Sequence, residues 1–423
     1  MKAYFTEQNH FYGTCNPQQL IQKYGSPLYV YNEAILRARC REMLRLVSYP
    51  FFAVSYSTKA NSNLELLKII RQEGLHADAM SPGEIVILEV AGFQSHEILF
   101  ISNNVSAEEM QFAIDRKITV SVDSLSQLKL FGRLNPGGSV AVRINTGIGA
   151  GHHEKVITGG KKTKFGVSTE QIPEMKGIIK EYGLRLTGVN QHIGSLFMEC
   201  EPYIEGVKAI LEVAKQFEDL EFVDFGGGFG IPYQKQKGQK RLDLKSLGDS
   251  LDEIIAQWTR EYGKDIQFKI EPGRYITAES GVLLGTVNAI KKNHSTTYVG
   301  TDLGFNVLMR PALYDAYHDI EVYKNGQLSK SEEYVSATIV GNICESGDII
   351  AKDRDLPPIE EGDLLGIMDA GAYGYSMSSN YNCRLRPAEV LIQADGRCKL
   401  IRRRDTLDDL LRNFNLEKCP TII

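Results

Sequence analysis

Eight short apolar segments recur along the chain, and stretches with helical periodicity lie between them. These segments occupy residues 51–57, 76–81, 98–102, 118–123, 140–145, 186–193, 221–225 and 266–271. Eight strands separated by helices match a (β/α)8 barrel better than a doubly wound sheet, which rarely needs eight equal units. The repeated pattern therefore predicts an α/β fold built on a TIM barrel.

Helix starts can be located between the predicted strands. Ser81 is followed by proline and then by Glu84, which is the pattern of a capping box with proline at the first helical position. Ser106 and Glu109 repeat the spacing. Both sites predict a helix that begins directly after a barrel strand.

The pattern changes after about residue 280. Closely spaced strand-like runs, separated by Gly, Asn and Asp turns, replace the alternation of strand and helix. An early run at residues 27–31 precedes the barrel pattern and predicts that the N-terminal segment packs with these later strands. We place the barrel at residues 30–278, and a β domain, itself a barrel or sandwich, at residues 1–29 and 279–423.

Composition favours a small-molecule partner. The formal net charge of -5 gives no broad basic face for nucleic acid. Seven scattered cysteines without a C-x-x-C pair indicate reduced thiols and no structural zinc, so no metal is expected. No signal-like segment and no run of about 18 apolar residues occurs. We expect a soluble cytoplasmic protein without a membrane partner.

Polar residues follow several of the predicted strands, where barrels of this type place their working residues. Lys59 follows the first strand, His192 the sixth and Glu271 the eighth. Each alone has a structural explanation: a solvated lysine, a satisfied core histidine, or a carboxylate paired with an arginine. Their value as evidence comes from their combination at one end of the barrel.

A phosphate site is predicted beside them. Gly226, Gly227 and Gly228 follow the seventh strand, and Gly273 and Arg274 follow the eighth. This is the position at which such barrels bind phosphate through backbone N–H groups. A lysine, a carboxylate and a phosphate nest together meet the needs of pyridoxal phosphate. NAD is disfavoured because the glycine run does not open a Rossmann unit.

Nine motifs extend over nearly the whole chain: Y-S-T-K-A-N, H-A-D-A-M-S-P-G-E-I, V-I-T-G-G-K-K-T-K-F-G-V, Q-H-I-G-S, D-F-G-G-G-F-G, E-P-G-R, R-P-A-L-Y, C-E-S-G-D and G-A-Y-G-Y-S-M-S-S-N-Y-N. In this order and spacing the chain resembles the fold-type III pyridoxal-phosphate decarboxylases, and among them the diaminopimelate decarboxylases. The resemblance implies a barrel of the alanine-racemase type with a β domain, and a homodimer with active sites at its interface. It also implies pyridoxal 5′-phosphate as cofactor and conversion of meso-2,6-diaminopimelate to L-lysine and carbon dioxide, the last step of lysine biosynthesis.

The resemblance also assigns roles to individual positions. Lys59 is the Schiff-base lysine, His192 stacks on the cofactor ring and Glu271 pairs with the pyridine nitrogen. Positions that hold or adjoin the phosphate are Ser195, Gly228, Gly273, Arg274 and Tyr373. Positions that contact the substrate are Arg274, Arg310, Tyr314, Glu345 and Tyr373. Cys344 and Glu345 are expected to come from the other subunit.

The pair Cys344–Glu345 also has a chemical interpretation of its own. A carboxylate beside a thiol tends to keep the thiol protonated, so Cys344 is suited to donate a proton after carbon dioxide leaves. A small apolar filler is the alternative role for such a cysteine. Glu345 can meet the far ammonium of diaminopimelate and Arg310 its far carboxylate, whereas ornithine or lysine would need only the acid.

Three other functions stay open at this stage. The first is decarboxylation of another basic amino acid or of carboxynorspermidine, which the joint presence of Arg310 and Glu345 disfavours. The second is a non-catalytic binding protein, which retention of Lys59, Glu271 and Cys344 disfavours. The third is an alanine-racemase-like enzyme, in which an arginine usually replaces Glu271 at the ring nitrogen.

Two positions depart from the commonest family pattern. Asn190 stands where many relatives have a histidine, and S-N-N-V-S at residues 102–106 replaces a more usual lysine-containing turn. Neither change touches a residue with an assigned role, so both concern fine tuning and leave the reaction class unchanged.

Overall fold

The computed structural model describes residues 4–101, 103–149, 160 and 163–415. The chain divides into two compact units, one formed by Met1–Asn32 with Gly281–Ile423 and the other by Glu33–Ser280. We call them the β unit and the barrel unit. The chain enters the β unit first, through helices α1 (Phe5–Gln8) and α2 (Pro17–Tyr24) and strand β1 (Leu28–Asn32).

The barrel unit contains a closed ring of eight parallel strands, which confirms the predicted fold class. In chain order the strands are β2 (Phe52–Ser57), β3 (His76–Ala79), β4 (Ile98–Ile101), β5 (Thr119–Val122), β6 (Ser139–Asn145), the two-residue β7 (Val167–Ser168), β8 (Arg185–Asn190), β9 (Phe222–Asp224) and β10 (Gln267–Ile270). All but β7 belong to the ring, which closes where β10 pairs with β2 and β5 with β6. Each predicted strand is found within a few residues of its expected bounds.

Burial explains why these strands could be recognised. All four residues of β4 are buried, and so are the central residues of β6. A parallel barrel strand is covered by the barrel core on one side and by helices on the other, so its sequence is apolar almost throughout. The hydrophobic core of this unit thus lies inside the ring and between the ring and its helices.

The helices of the barrel unit are α3 (Glu33–Leu44), α4 (Leu64–Gln72), α5 (Pro82–Ala91), α6 (Ala107–Asp115), α7 (Leu125–Leu134), α8 (Ile172–Glu181), α9 (Glu201–Ala214), α10 (Leu244–Tyr262) and α11 (Arg274–Thr277). The capping box at Ser106 is confirmed, since Ser106 and Glu109 bond each other's backbone N–H groups. At Ser81 only half of it forms. The Ser81 hydroxyl accepts from the N–H of Glu84, but the Glu84 carboxylate accepts from the N–H of Met80 instead.

The β unit is built on one branched sheet. Its strands after β1 are β11 (Gly281–Asn293), β12 (Thr296–Thr301), β13 (Ile320–Lys324), β14 (Gln327–Leu328), β15 (Val335–Val340), β16 (Ile349–Leu356), β17 (Leu364–Ile367), β18 (Ala388–Ile392) and β19 (Cys398–Arg402). Short helices α12 (Arg310–Tyr314) and α13 (Leu407–Leu411) lie between or after them. β1 pairs antiparallel to β11 and parallel to β18, so the N-terminal segment is an integral part of this sheet.

None of the helices in the described ranges has the length and apolar character needed to cross a membrane. Within the same ranges no group of three or more His, Cys, Asp or Glu side chains is arranged to hold a metal ion.

Candidate active site

Lys59 lies at the carboxyl end of β2, on a single 3-10 turn formed by Thr58–Ala60. Its side chain is exposed, whereas its neighbours on both sides are buried. The Tyr56 hydroxyl donates to the carbonyl of Asn61 at 2.9 Å and closes the turn from below. The fold therefore presents one lysine amine from a rigid turn at a barrel strand end.

Asp78 at the end of β3 braces this turn. It is fully buried and accepts from the Ser57 hydroxyl at 2.7 Å and from the Thr58 N–H at 3.3 Å. Burial raises the pKa of Asp78 to about 7, although the positive charge of Lys59 acts in the opposite direction. Sequence analysis did not single out Asp78, although an acidic residue within the apolar run H-A-D-A was a signal for it.

His192 follows β8 and is fixed by the glycine turn after β9. Its Nδ1 accepts from the N–H of Gly227 at 3.1 Å, so in the neutral ring the proton is on Nε2. Burial lowers the pKa of His192 well below its usual range, and the positive charges of Lys59 and Arg143 lower it further. The ring at this strand end is therefore neutral.

The glycines after β9 permit close approach of three strand ends. A Cβ on Gly227 would lie 2.0 Å from the carbonyl oxygen of Glu271, and one on Gly228 would lie 2.4 Å from that of Gly194. Gly228 also has a φ of 106°, a conformation that other residues rarely adopt. The N–H groups of Gly226 and Gly227 already donate to Asp224 and His192. Of the three glycines in this run, Gly228 is therefore the one that we still expect to bind the phosphate.

Arg274 and Ser195 form the positive side of the same site. Nη2 of Arg274 donates to the Ser195 hydroxyl at 2.9 Å and Nη1 donates to the Tyr233 hydroxyl at 2.9 Å. Gly273 allows this loop to pack against the Lys59 turn, because a Cβ there would lie 2.9 Å from Cβ of Ser57. A buried guanidinium held by two hydroxyl groups is suited to a phosphate dianion. Tyr233 was not identified from the sequence.

Glu271 and Asp224 form a buried pair of carboxyl groups at the ends of β10 and β9. Burial raises the pKa of Glu271 well above its usual range, and the charges of Asp224 and Asp78 raise it further. Neither Oε1 of Glu271 nor Oδ2 of Asp224 has a hydrogen-bond partner among the described residues, whereas Oδ1 of Asp224 accepts from the N–H of Gly226. Because two adjacent buried carboxyl groups cannot both ionise, Glu271 is the member that carries the proton.

Arg143 on β6 is a further charged residue that sequence analysis missed. It is buried, its Nη2 lies 3.5 Å from the carbonyl oxygen of His192, and its guanidinium lies 4.5 Å from the centre of the Phe165 ring. Burial lowers the pKa of Arg143, against the opposing charges of Glu271 and Asp123. Its charge therefore contributes to the field around His192 and Glu271.

At the two positions that depart from the commonest family pattern, the described residues make local hydrogen bonds. Asn190 is buried and its Oδ1 accepts from the Ser121 hydroxyl at 2.6 Å, while Asn103 donates to the Asp123 carboxylate. Residue 102, residues 150–159 with His152 and His153, and residues 161–162 lie outside the described residues. Half of the motif V-I-T-G-G-K-K-T-K-F-G-V falls there.

Within the β unit, Arg310 is the first residue of α12 and is 2% exposed. Its Nη1 lies 2.6 Å from Nε2 of His318, and Nδ1 of His318 lies 2.7 Å from the carbonyl oxygen of Met368. His318 therefore accepts from Arg310 and donates to the carbonyl, which fixes the orientation of the guanidinium. Tyr314 ends the same helix and is half-buried.

Cys344 and Glu345 lie in an exposed turn between β15 and β16. The buried Asp348 carboxylate holds the turn by accepting from the N–H groups of Ile343 at 2.7 Å and Phe305 at 2.6 Å. The Glu345 carboxylate accepts from the Tyr381 hydroxyl at 2.5 Å. The turn is thus rigid at its base and presents a thiol and a carboxylate at its surface.

Tyr373 is the remaining β-unit position with an assigned role. It is half-buried and follows β17 with a φ of 56°, a left-handed conformation that is uncommon outside glycine. Such a conformation in a non-glycine residue persists only where its surroundings hold it.

The predicted residues thus form two groups, each described within its own unit. Taken together, the barrel-unit group can hold a phosphorylated aromatic ring that contains a nitrogen. It offers an amine, a neutral imidazole, a protonated carboxyl group and an arginine with hydroxyl partners. The barrel-unit members are Lys59, His192, Ser195, Gly228, Glu271, Gly273 and Arg274, and the β-unit members are Arg310, Tyr314, Cys344, Glu345 and Tyr373.

Comparison with known proteins supplies an independent test of this chemistry. Residues 33–278 match the family model described as the pyridoxal-binding domain of pyridoxal-dependent decarboxylases. The chain is 41% identical over 413 residues to a diaminopimelate decarboxylase of Methanothermobacter thermautotrophicus, covering 96% of this chain and 95% of the relative.

Solved structures give the same result. A Helicobacter pylori diaminopimelate decarboxylase in complex with L-lysine superposes with a TM-score of 0.85 at 33% identity, covering 94% of this chain and 98% of that chain. A diaminopimelate decarboxylase from M. jannaschii, also in complex with L-lysine, superposes with a TM-score of 0.84 at 34% identity and covers 95% and 94%.

Proposed function

The chain belongs to the diaminopimelate decarboxylases, a family of pyridoxal-dependent decarboxylases, and on this premise we propose that it converts meso-2,6-diaminopimelate to L-lysine and carbon dioxide. The observation that carries the proposal is the set of strand ends that brings Lys59, His192 and Glu271 to one face of the barrel. A carboxy-lyase of this type requires a lysine amine that holds the cofactor and an acidic group that partners the ring nitrogen, and His192 can supply the flat surface beside the ring.

We propose pyridoxal 5′-phosphate as the cofactor, and the residues present fit it. The Glu271 carboxyl group, whose Oε1 accepts no hydrogen bond from the described residues, can meet the ring nitrogen. The Arg274 guanidinium and the Ser195 hydroxyl can hold the phosphate, with Gly228, Gly273 and Tyr373 beside it. His192, as a neutral imidazole, can lie against the ring face, and the Lys59 amine can hold the cofactor covalently.

When bound, pyridoxal phosphate supplies an electron sink for the pair left on Cα as carbon dioxide departs. With the cofactor bound, the protonated Glu271 carboxyl group would share its proton with the ring nitrogen, and the carboxylate so formed would accept the hydrogen bond from that N–H. Arg274 orients the phosphate and thereby the ring. Asp78 accepts from the Ser57 hydroxyl and the Thr58 N–H directly before Lys59, and thereby fixes the start of the turn that carries the amine.

Cys344 is the proposed donor of the proton that Cα must receive. Its thiol is exposed on a turn whose base is fixed by Asp348. A thiol placed beside Cα can donate the proton that the carbanion must receive. The proposed acid therefore acts only where the turn meets a substrate-loaded barrel site.

Arg310 and Glu345 are the proposed specificity residues. Diaminopimelate carries an ammonium and a carboxylate at its far end, and a site that excludes water must match both charges. Glu345 would pair with the ammonium and Arg310, oriented by His318, with the carboxylate. Tyr314 and Tyr373 would complete the substrate contacts. L-lysine, the proposed product, is the ligand named for the Helicobacter pylori relative.

We expect the wild-type enzyme to release carbon dioxide from meso-diaminopimelate and not from lysine, ornithine or arginine. Glu345→Ala and Arg310→Ala should each lower kcat/KM for diaminopimelate roughly 30- to 150-fold, because each leaves one far-end charge unpaired. This corresponds to a loss of about 2 to 3 kcal/mol of transition-state stabilisation. The measurement is carbon dioxide release across that panel for all three proteins.

The two variants should differ in selectivity. Arg310→Ala should affect a poor substrate that lacks the far carboxylate much less, since the arginine then has nothing to pair with. Release from ornithine or lysine at the diaminopimelate rate would overturn the substrate assignment. Wild-type kcat/KM in Glu345→Ala would overturn the role of that residue alone.

The proposed assembly is a homodimer with shared sites, acting in the cytoplasm. It predicts complementation between Lys59→Ala and Cys344→Ala proteins, each of which is inactive alone. In a mixed dimer the barrel of the Cys344→Ala chain would meet the intact turn of the other chain. Random exchange makes half of the dimers mixed and half of their sites intact, so about a quarter of wild-type activity should return on mixing.

A second mixture provides the matched control. Lys59→Ala with Glu271→Gln places both substitutions in the barrel unit, so no mixed dimer would contain an intact site and no activity should return. Native mass spectrometry would verify chain exchange in both mixtures. Verified mixed dimers of Lys59→Ala and Cys344→Ala without activity would contradict the shared site.

A further inference from the structure

Two cysteines of the β unit, far apart in sequence, are adjacent in the fold. Cys15 lies just before α2, and Cys398 is the first residue of β19. Thr14, the residue before Cys15, donates to the carbonyl of Gly396, two residues before Cys398, and both cysteine side chains are half-buried, within reach of solvent. Neither belongs to the proposed active site.

The backbone around the pair explains why they meet. Thr14 donates to the carbonyl of Gly396 from its N–H at 3.4 Å and from its hydroxyl at 2.9 Å. A Cβ on Gly13 would lie 2.9 Å from Cα of Gly396, so the two segments approach as closely as glycine permits. This contact positions both cysteines, because Cys15 directly follows Thr14 and Cys398 lies two residues after Gly396.

The surroundings distinguish the two thiols chemically. Partial burial alone would raise the pKa of Cys398, but hydrogen bonds from Tyr24 and Cys15 and the positive charge of Lys23 together lower it. The Tyr24 hydroxyl lies 3.6 Å from Sγ of Cys398, and Nζ of Lys23 lies 5.1 Å from the centre of the Tyr24 ring. Burial raises the pKa of Cys15, and the nearby Cys398 side chain raises it further.

Two other cysteines among the described residues, Cys40 and Cys200, lack this environment. Burial raises the pKa of both Cys40 and Cys200, and Cys200 bonds the backbone carbonyl of Asp243 rather than another thiol. Thiolates, not thiols, react with peroxides, so thiols of raised pKa react slowly.

We propose that Cys15 and Cys398 form a modification site at which a hydroperoxide produces an intramolecular disulfide. The Cys398 thiolate attacks one oxygen of hydrogen peroxide, the O–O bond breaks, and hydroxide leaves and takes up a proton to become water. Cys15 then attacks the sulfur of the resulting sulfenic acid, and a second water leaves as the S–S bond forms. Two thiols are oxidised by two electrons, and one peroxide is reduced to two waters.

The disulfide would connect the N-terminal segment to an edge of the sheet. β19 is the last strand in the sheet order and pairs only with β18. A covalent link between Cys15 and Cys398 would therefore hold this edge and α2 together when either begins to detach.

The test is oxidation of the intact holoenzyme with a small molar excess of hydrogen peroxide, followed by thiol blocking and peptide mapping without reductant. The expected product is a peptide pair joined through Cys15 and Cys398, which a thiol reductant separates. A map in which both cysteines remain reduced, or in which each is joined only to a different cysteine, would overturn the proposal.

Single variants separate the two roles. In Cys15→Ser, Cys398 should accumulate as sulfenic acid that a dimedone probe labels, because the second thiol is missing. In Cys398→Ser, oxidation of Cys15 should slow by roughly tenfold or more. The control is Cys200→Ser, since Cys200 is half-buried and its thiol bonds a backbone carbonyl. This variant should form the Cys15–Cys398 disulfide at the wild-type rate. Equal oxidation of Cys15 with and without Cys398 would contradict the proposed order of attack.

Discussion

Replacing Lys59 with alanine should abolish decarboxylation, with kcat/KM reduced by at least about 10³-fold, because the variant lacks the amine that we propose holds the cofactor and releases the product. Borohydride reduction of the wild-type holoenzyme followed by peptide mapping should place the cofactor label on Lys59. The physical reason is position: Lys59 is exposed on a turn whose flanking residues are buried, at the end of β2, and β2 pairs with β10, the strand that precedes Arg274.

Lys59→Arg provides the matched control for charge. Arginine keeps a cation near Asp78 but is not a usable amine, so it should lose activity as completely as alanine while preserving the fold. Phosphate contacts through Arg274 should still allow weak cofactor binding in both variants. A borohydride label on Lys161, Lys162 or Lys164 in the wild-type enzyme would contradict the site.

The barrel could be predicted because its strands are buried on both sides. A continuous apolar run leaves a clear signal, and every such run became a strand of the ring. The β unit was harder. β12, β14, β16 and β19 were not predicted, because Thr296–Thr301, Gln327–Leu328, Ile349–Leu356 and Cys398–Arg402 carry polar or charged side chains. Among the described strands β16 and β19 each have a single neighbour, and in β16 only Ile350, Ala351 and Leu356 are buried, so neither strand carries a continuous apolar run.

The residues of the candidate site also fall into those that the sequence predicted and those that it did not. Lys59, His192 and Glu271 follow strands, and a sequence position at a strand end is enough to select them. Arg143 and Asp78 lie within or at the end of apolar runs, where single charged residues look like exceptions to the pattern. Their importance depends on burial and on partners from other strands, such as the contact of Arg143 with the carbonyl of His192. Long-range contacts of this kind cannot be derived from local periodicity.

The carboxyl pair is a further property that the sequence does not contain. Glu271 was predicted as an acid near the ring nitrogen, but its protonation depends on Asp224, which lies more than forty residues earlier. Burial raises the pKa of Asp224, but the N–H that it accepts from Gly226 and the charge of Lys269 oppose that rise. One oxygen of each carboxyl group lacks a donor among the described residues, but Asp224 keeps the Gly226 N–H on its other oxygen, so Glu271 is the member that holds the proton. The different protonation of these two carboxyl groups therefore depends on their surroundings in the folded protein.

Glu271→Gln should therefore lower kcat/KM by roughly 10³-fold while leaving the cofactor bound, because glutamine keeps the shape of the side chain but has no carboxyl proton to share with the ring nitrogen. Cofactor absorbance after gel filtration would measure binding, and carbon dioxide release would measure the reaction. The loss should fall mainly on kcat, since the proton matters most when charge develops on the ring.

Glu271→Asp separates loss of the acid from loss of shape. It keeps a carboxyl group next to Asp224 but withdraws it by one methylene, so it should retain more activity than Glu271→Gln despite the poorer fit. If the amide is as active as the wild-type enzyme, or if glutamine outperforms aspartate, the proton on Glu271 has no part in the reaction. In that case the buried carboxyl pair would be a structural feature of the barrel, and another residue would have to hold the ring nitrogen.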